Sequence, residues 1–100
     1  MVSRQWKGIA KPGRADNYIE HLGADTFPQL SKIPGFAGAS IMRRDVAQGT
    51  EFLVVTTWES IEAIKRFAGA DPEAAVVPVA AQEMMVEYDN RVIHYEIVEN

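Results

Sequence analysis

A chain of 100 residues with 47% hydrophobic and 24% charged side chains has the size and composition of one globular domain over 1–100 and is too apolar for a disordered segment. Its formal net charge of −4, with Arg43-Arg44 as the sole adjacent basic pair, excludes a nucleic-acid surface, which needs clustered cations to displace counterions. The absence of cysteine removes disulfides, thiolate metal sites and thiol nucleophiles from consideration.

The start Met1-Val2-Ser3-Arg4-Gln5-Trp6-Lys7 contains no apolar stretch of the kind a leader needs. The longest apolar run, Ala74 to Ala81, is interrupted by Pro78 and is far shorter than the roughly 20 residues of a membrane span. A cytoplasmic location without membrane contact is the expectation.

Residues 3–10 read as a first strand, ended by Lys11-Pro12-Gly13, since proline removes a ladder donor and glycine permits the turn. Ala15, Tyr18, Ile19 and Leu22 then recur at the i, i+3, i+4, i+7 spacing of an amphipathic helix, with Gly23 as its expected end. A second helical piece over 27–33 presents Phe27, Leu30 and Ile33, tolerates Pro28 only near its start, and stops at Pro34-Gly35. Strands are predicted over 36–44 and 51–58, joined by a hairpin over 45–50. In the second of them Phe52-Leu53-Val54-Val55 is the near-continuous apolar run of a strand covered on both faces.

Ser60 can cap the next helix, whose stripe is Ile61, Ile64, Phe67 and Ala68, with Gly69 as its stop. Asp71-Pro72-Glu73 resembles a fresh helix start, giving a helical segment that reaches Met85 and is kinked or divided by Pro78. A last strand is expected over 91–98, where Val92, His94, Glu96 and Val98 alternate with Ile93, Tyr95 and Ile97.

This β-α-β-β-α-β order is the ferredoxin-like α+β arrangement, a four-stranded antiparallel sheet with both helices on one face. The other sheet face needs a cover, because strands apolar on both sides would leave a large patch wet. A homodimer formed by sheet-on-sheet packing is therefore expected; a partner protein or a bound lipid is the alternative cover.

Phe52-Leu53-Val54-Val55-Thr56-Thr57-Trp58-Glu59-Ser60, followed by Ile61 to Phe67, resembles the strand–Trp–Glu–Ser–helix segment of antibiotic-biosynthesis monooxygenase domains. Ile33-Pro34-Gly35-Phe36 resembles the helix-to-strand turn of the same superfamily, and with the element order the similarity spans nearly the whole chain. The resemblance implies a dimeric α+β barrel with a small-molecule pocket in each subunit between the sheet and the helices. It also implies chemistry of one of two kinds: oxidation of aromatic polyketides by molecular oxygen without a cofactor, or haem degradation. The haem-degrading branch uses an asparagine on the first strand and a tryptophan and a histidine ten residues apart in the second helical region. The comparable positions here hold Trp6 or Gln5, Phe67 and Val77, and valine cannot ligate iron, so the resemblance does not extend to that activity.

His94, on a strand among apolar neighbours, is the candidate general base, because imidazole is the side chain suited to proton transfer near neutral pH. It can equally be a structural histidine bonded to backbone, Glu96 or Tyr95 at the dimer seam. Trp58 is a candidate aromatic wall for a flat substrate, or plain core beneath the second helix. Tyr18 can aim its hydroxyl into the pocket or sit at the helix boundary. Phe67 is expected to shape the pocket, and His21, three residues from Tyr18, either joins it or faces solvent. Two histidines without a supporting carboxylate motif give no metal site.

Together these features lead to a cofactor-independent monooxygenase acting on a small aromatic or polyketide-like molecule. His94 generates the substrate anion, and Trp58, Tyr18, Phe67 and His21 form the binding residues. The competing reading is a non-catalytic dimeric barrel that binds a small hydrophobic ligand or serves in stress response, and an isomerase or lyase is a third, since one scaffold hosts many functions.

Overall fold

A computed structural model describes residues 1–100. Five antiparallel strands form one sheet: β1 (Val2–Ala10), β2 (Phe36–Val46), β3 (Gly49–Trp58), β4 (Met85–Tyr88) and β5 (Ile93–Glu96). The spatial order is β2-β3-β1-β4, with β5 also on β1, so β4 and β5 share one edge of β1. Ala10 pairs with Met85 at one end of that edge and Val2 with Glu96 at the other. The helices are α1 (Ala15–His21), α2 (Phe27–Leu30), α3 (Ile61–Ala68) and α4 (Val79–Glu83).

Alternation along the strands sorts the side chains. Phe52, Val54, Thr56 and Trp58 of β3 are buried on the helix side, and the register places Val2, Arg4, Trp6, Gly8 and Ala10 of β1 beside them. Leu53 and Val55 point to the opposite face, where the register adds Met42, Gln5 and Ile93. Met42, Ile93 and Tyr95 are 47%, 55% and 57% exposed, so that face carries uncovered apolar side chains. The core on the helix side has two lobes. One joins Tyr18, Leu22, Phe52, Ala81 and Met85; the other joins Leu30, Trp58, Ala63 and Ile64.

Local chemistry accounts for several boundaries. Ser60 caps α3, its Oγ accepting the Ala63 N–H at 3.1 Å, and Gly69 ends that helix with φ 88°, a conformation that costs glycine little. Gly35, at φ 94°, lies so close to α3 that an added Cβ would stand 2.5 Å from the Ala63 Cβ. The Pro34-Gly35 turn is tied there by Glu59 N–H to Gly35 O at 2.8 Å and Arg66 Nη1 to Pro34 O at 2.7 Å.

Gly23 does not end the first helical run. The chain continues through a π-helical turn, Leu22–Thr26, into α2, the Phe27 N–H reaching back to Leu22 O. A physical reason lies at Pro28: inside an α-helix its ring would crowd the carbonyl four residues earlier and would offer that carbonyl no N–H. The wider turn upstream relieves both. Helix α2 is correspondingly shorter than the 27–33 stretch, and residues 31–35 are turns.

The region after Gly69 differs most from the sequence-based reading. Residues 69–78 carry no helix, although Asp71-Pro72-Glu73 has the composition of a helix start. Asp71 instead accepts the Glu73 N–H and pairs with Arg91 at 2.9 Å, and Ala74 bridges to Arg91. Helix occupies only Val79–Glu83, and Met85, expected at the end of a helical segment, opens strand β4. The last strand is shortened to Ile93–Glu96. Two short strands thus replace one long one along the free edge of β1.

Candidate functional site

A cavity of about 70 Å3, open to solvent, lies between the sheet and the helical segments, with walls from both core lobes. Its floor is Arg4 and Trp6 of β1 with Val54 and Thr56 of β3; Tyr18, His21 and Leu22 form one side, and Phe27 and Leu30 another. Phe67 and the irregular Val76-Val77-Pro78 stretch close the remainder, with Ala81 and Val92 behind. The volume is below the roughly 150 Å3 of an enclosed cavity known to hold benzene. A ring therefore enters from the open side or with separation of the walls.

The lining is apolar apart from a few groups, and no Asp or Glu is among them. Tyr18 is 4% exposed and packs edge-on against Phe52, ring centroids 5.0 Å apart. Its hydroxyl makes no hydrogen bond within the protein. No side-chain oxygen or nitrogen is both fully buried and unpartnered, so this hydroxyl is not sealed in protein, and Tyr18 lines the cavity. Burial pushes its pKa up, which keeps it a proton donor. The His21 ring stacks on Tyr18 at 6.4 Å, its Nε2 lying 3.5 Å from Thr26 Oγ1 and 3.9 Å from Asp25 Oδ2. The π-helical turn brings these two partners back towards His21.

Arg4 is 5% exposed. Its Nη1 donates to Pro72 O and to His94 Nε2 at 3.2 Å, and its Nη2 donates to Ala74 O at 2.8 Å. The guanidinium carbon stands 5.7 Å above the Phe67 ring, within cation–π range. Burial lowers its pKa to about 10, so it stays charged at neutral pH.

His94 pairs with Arg4 across β5 and β1 and does not line the cavity. Arginine is only a donor, so the Nε2 lone pair of His94 is the acceptor in their contact and the imidazole is neutral. Its pKa is lowered by burial first and the Arg4 charge second. A base must present a free lone pair to the substrate, and here that lone pair faces Arg4. Trp58 also stands outside the lining, wholly buried, its Nε1–H donated to Thr56 Oγ1 at 2.8 Å and its ring stacked on Phe67 at 6.1 Å. It therefore backs two residues of the wall. Tyr18, His21 and Phe67 are brought together at the cavity; His94 and Trp58 lie one layer behind it.

Sequence reasoning passed over Arg4 and Thr26. For Arg4 a signal was present: alternation on β1 puts it on the same face as Trp6, so a charge had to sit on the covered side of the sheet. Thr26 had none, because its approach to His21 depends on the π-helical turn. Trp6 lies over Gly8, where an added Cβ would stand 2.4 Å from the ring, and its Nε1 donates to Asp89 O at 2.9 Å. Gly8 thus leaves room for the indole that forms part of the floor.

No helix is long and apolar enough to cross a membrane. No curated protein matches the chain. Among solved structures, a Bacillus cereus protein described as an antibiotic biosynthesis monooxygenase superposes with a TM-score of 0.67 at 20% identity, covering 99% of this chain and 94% of the other. The ActVA-Orf6 monooxygenase of Streptomyces coelicolor, in complex with nanaomycin D, gives a TM-score of 0.61 at 21% identity, with 94% and 83% covered. The haem degrader MhuD of Mycobacterium tuberculosis, with two haems in its active site, gives 0.62 at 23% identity, with 100% and 98% covered. These likenesses are of fold. A family model also matches residues 1–77, the part that supplies β1 through α3 and the Val76-Val77 wall, and by that match the chain belongs to the antibiotic biosynthesis monooxygenase family.

Proposed function

We propose that this protein is a cofactor-independent monooxygenase of a small aromatic substrate, bound in the cavity between sheet and helices. The observation that carries the reading is an apolar cavity holding one imidazole, His21, beside two proton donors, Arg4 and Tyr18. Deprotonating an electron-rich aromatic and shielding its anion from water leaves the redox step to substrate and oxygen. His21 takes the phenolic or enolic proton through Nδ1, its Nε2 being turned to Thr26 Oγ1 and Asp25 Oδ2. The anion passes an electron to O2, the radical pair joins through a C–O bond, and the peroxide collapses. In net terms a CH2 flanked by aromatic rings becomes C=O, and the second oxygen atom leaves as water. Nanaomycin D bound to the Streptomyces coelicolor relative supports a small-molecule substrate. Haem fits this wall poorly: Phe67 and Val77 line it, and valine brings no donor atom to iron.

Oxygen uptake by the purified protein tests the reading, without added cofactor, over anthrones, naphthols and hydroquinones. Turnover of at least one of them is expected. Silence on every substrate would replace the oxygenase with a binding protein.

We also infer a homodimer through the open sheet face. Leu53 and Val55 lie at its centre and Met42, Ile93 and Tyr95 stand exposed around them; apolar groups in such number favour a covering surface. Light scattering should give twice the 11.1 kDa of one chain, and Leu53→Glu should give the monomer mass. A wild-type monomer would remove the dimer.

A further inference from the structure

We propose that Arg4 is an anion seat: the ligand of this cavity is an aromatic compound bearing a negatively charged oxygen, received by the Arg4 guanidinium with the Tyr18 hydroxyl as a second donor. The proposal rests on the reading above in taking this cavity as the place where the ligand sits, and it adds the charge and orientation of that ligand.

The first support is the lack of any counter-charge. Arg4 is 5% exposed, yet it forms no ion pair, and its acceptors are two peptide carbonyls and a neutral imidazole. A buried cation without an anion is costly, and no Asp or Glu on the cavity wall supplies one. A ligand that brings the missing charge recovers that cost.

The second support is donor capacity. A guanidinium has five N–H bonds, and the contacts to Pro72, His94 and Ala74 use three. One N–H on Nε and one on Nη2 keep no protein partner, which leaves two donors for the lone pairs or oxygens of an anionic group. Since no fully buried side-chain nitrogen or oxygen lacks a partner, Nε is not sealed in protein, and Arg4 lines the cavity. Tyr18, 4% exposed and held protonated by burial, offers a further unpartnered donor on the same cavity. Phe67, beneath the guanidinium, also lines the cavity and gives the ring that carries the charge an apolar neighbour.

An ionised phenol or enol and an aromatic carboxylate share this chemistry, and equilibrium binding separates them. The probes are nitrobenzene, 4-nitrobenzoate and 4-nitrophenol, titrated into the full chain across a pH series and read by absorbance and calorimetry. A hydrogen bond to a charged group gives an expected anion preference over nitrobenzene of about ten- to a hundred-fold. A phenolate spectrum for bound 4-nitrophenol at a pH where the free probe is mostly neutral identifies the phenolate source. Preference for 4-nitrobenzoate alone identifies the carboxylate source. Arg4→Met should abolish the preference while nitrobenzene binding persists, and Arg4→Lys, which keeps the charge but loses the fork, should retain part of it. Equal or tighter binding of nitrobenzene by the wild type overturns the proposal whether or not the variants fold, as does an unchanged preference in Arg4→Met. Binding requires no turnover, so an anion preference without oxygen uptake leaves the seat and removes the oxygenase, and uptake without the preference does the reverse.

Discussion

His21→Gln should lower the rate of oxygen uptake by about 10²- to 10⁴-fold, the range expected when a positioned acid–base group is lost. Glutamine keeps polarity and approximate volume but cannot take a proton near neutral pH, so affinity for a substrate analogue should change only a few-fold. The expected pattern is a fall in kcat with KM and the analogue Kd nearly constant. The stacking of His21 on Tyr18 and its approach to Thr26 and Asp25 place the group by geometry, and urea titration of the variant separates loss of the base from loss of that packing. If uptake persists at the wild-type rate, the substrate proton leaves by another route and His21 only lines the cavity.

Trp58→Ala should destabilise the fold by about 3–5 kcal/mol, the usual effect of deleting a large aromatic from a packed interior. Trp58 is wholly buried, meets Phe36 edge-on at 5.3 Å and stacks on Phe67 at 6.1 Å. Its loss also deprives Thr56 of a hydrogen-bond donor. Against a total stability of roughly 5–15 kcal/mol, that loss is large enough to leave part of the protein unfolded, and urea titration would measure it. Trp58→Phe should cost less and leave ligand affinity within a few-fold, since Trp58 supports the cavity wall from behind. An affinity loss in Trp58→Phe comparable to that in Arg4→Met would mean that the indole meets the ligand itself.

The elements legible from sequence were those whose pattern is local and long. β3 carries the apolar run Phe52 to Val55 within a ten-residue strand, α3 carries a serine cap and a glycine stop, and the Tyr18, Ile19 and Leu22 stripe predicts the covered face of α1. Beyond Gly69 the cues were short and contradictory. The Val76-Val77-Pro78 wall sits inside an apolar run that periodicity alone cannot assign to helix or strand, and β4 has only four residues, formed where β1 leaves an edge to be filled. The site followed the same division. Tyr18 and His21 stood out because they lie three residues apart on α1, and Phe67 because it lies on the apolar stripe of α3, whereas the Arg4–His94 contact joins residues 90 apart in sequence, which no local pattern encodes. His94 was singled out for its chemistry, but its burial first and the charge of its neighbour second keep it neutral.

The π-helical turn at Leu22–Thr26 has a consequence for how this chain tolerates changes of length. The Phe27 N–H closes on Leu22 O over five residues where an ordinary α-turn closes over four, so the turn holds one residue more than regular helix needs. Loss of one residue between 22 and 26 would tighten the run to regular α-helix with Phe27 and Leu30 still facing the cavity, while Pro28 would meet the carbonyl from which the wide turn frees it. A second loss would rotate everything downstream by about 100° and turn both side chains away from the cavity.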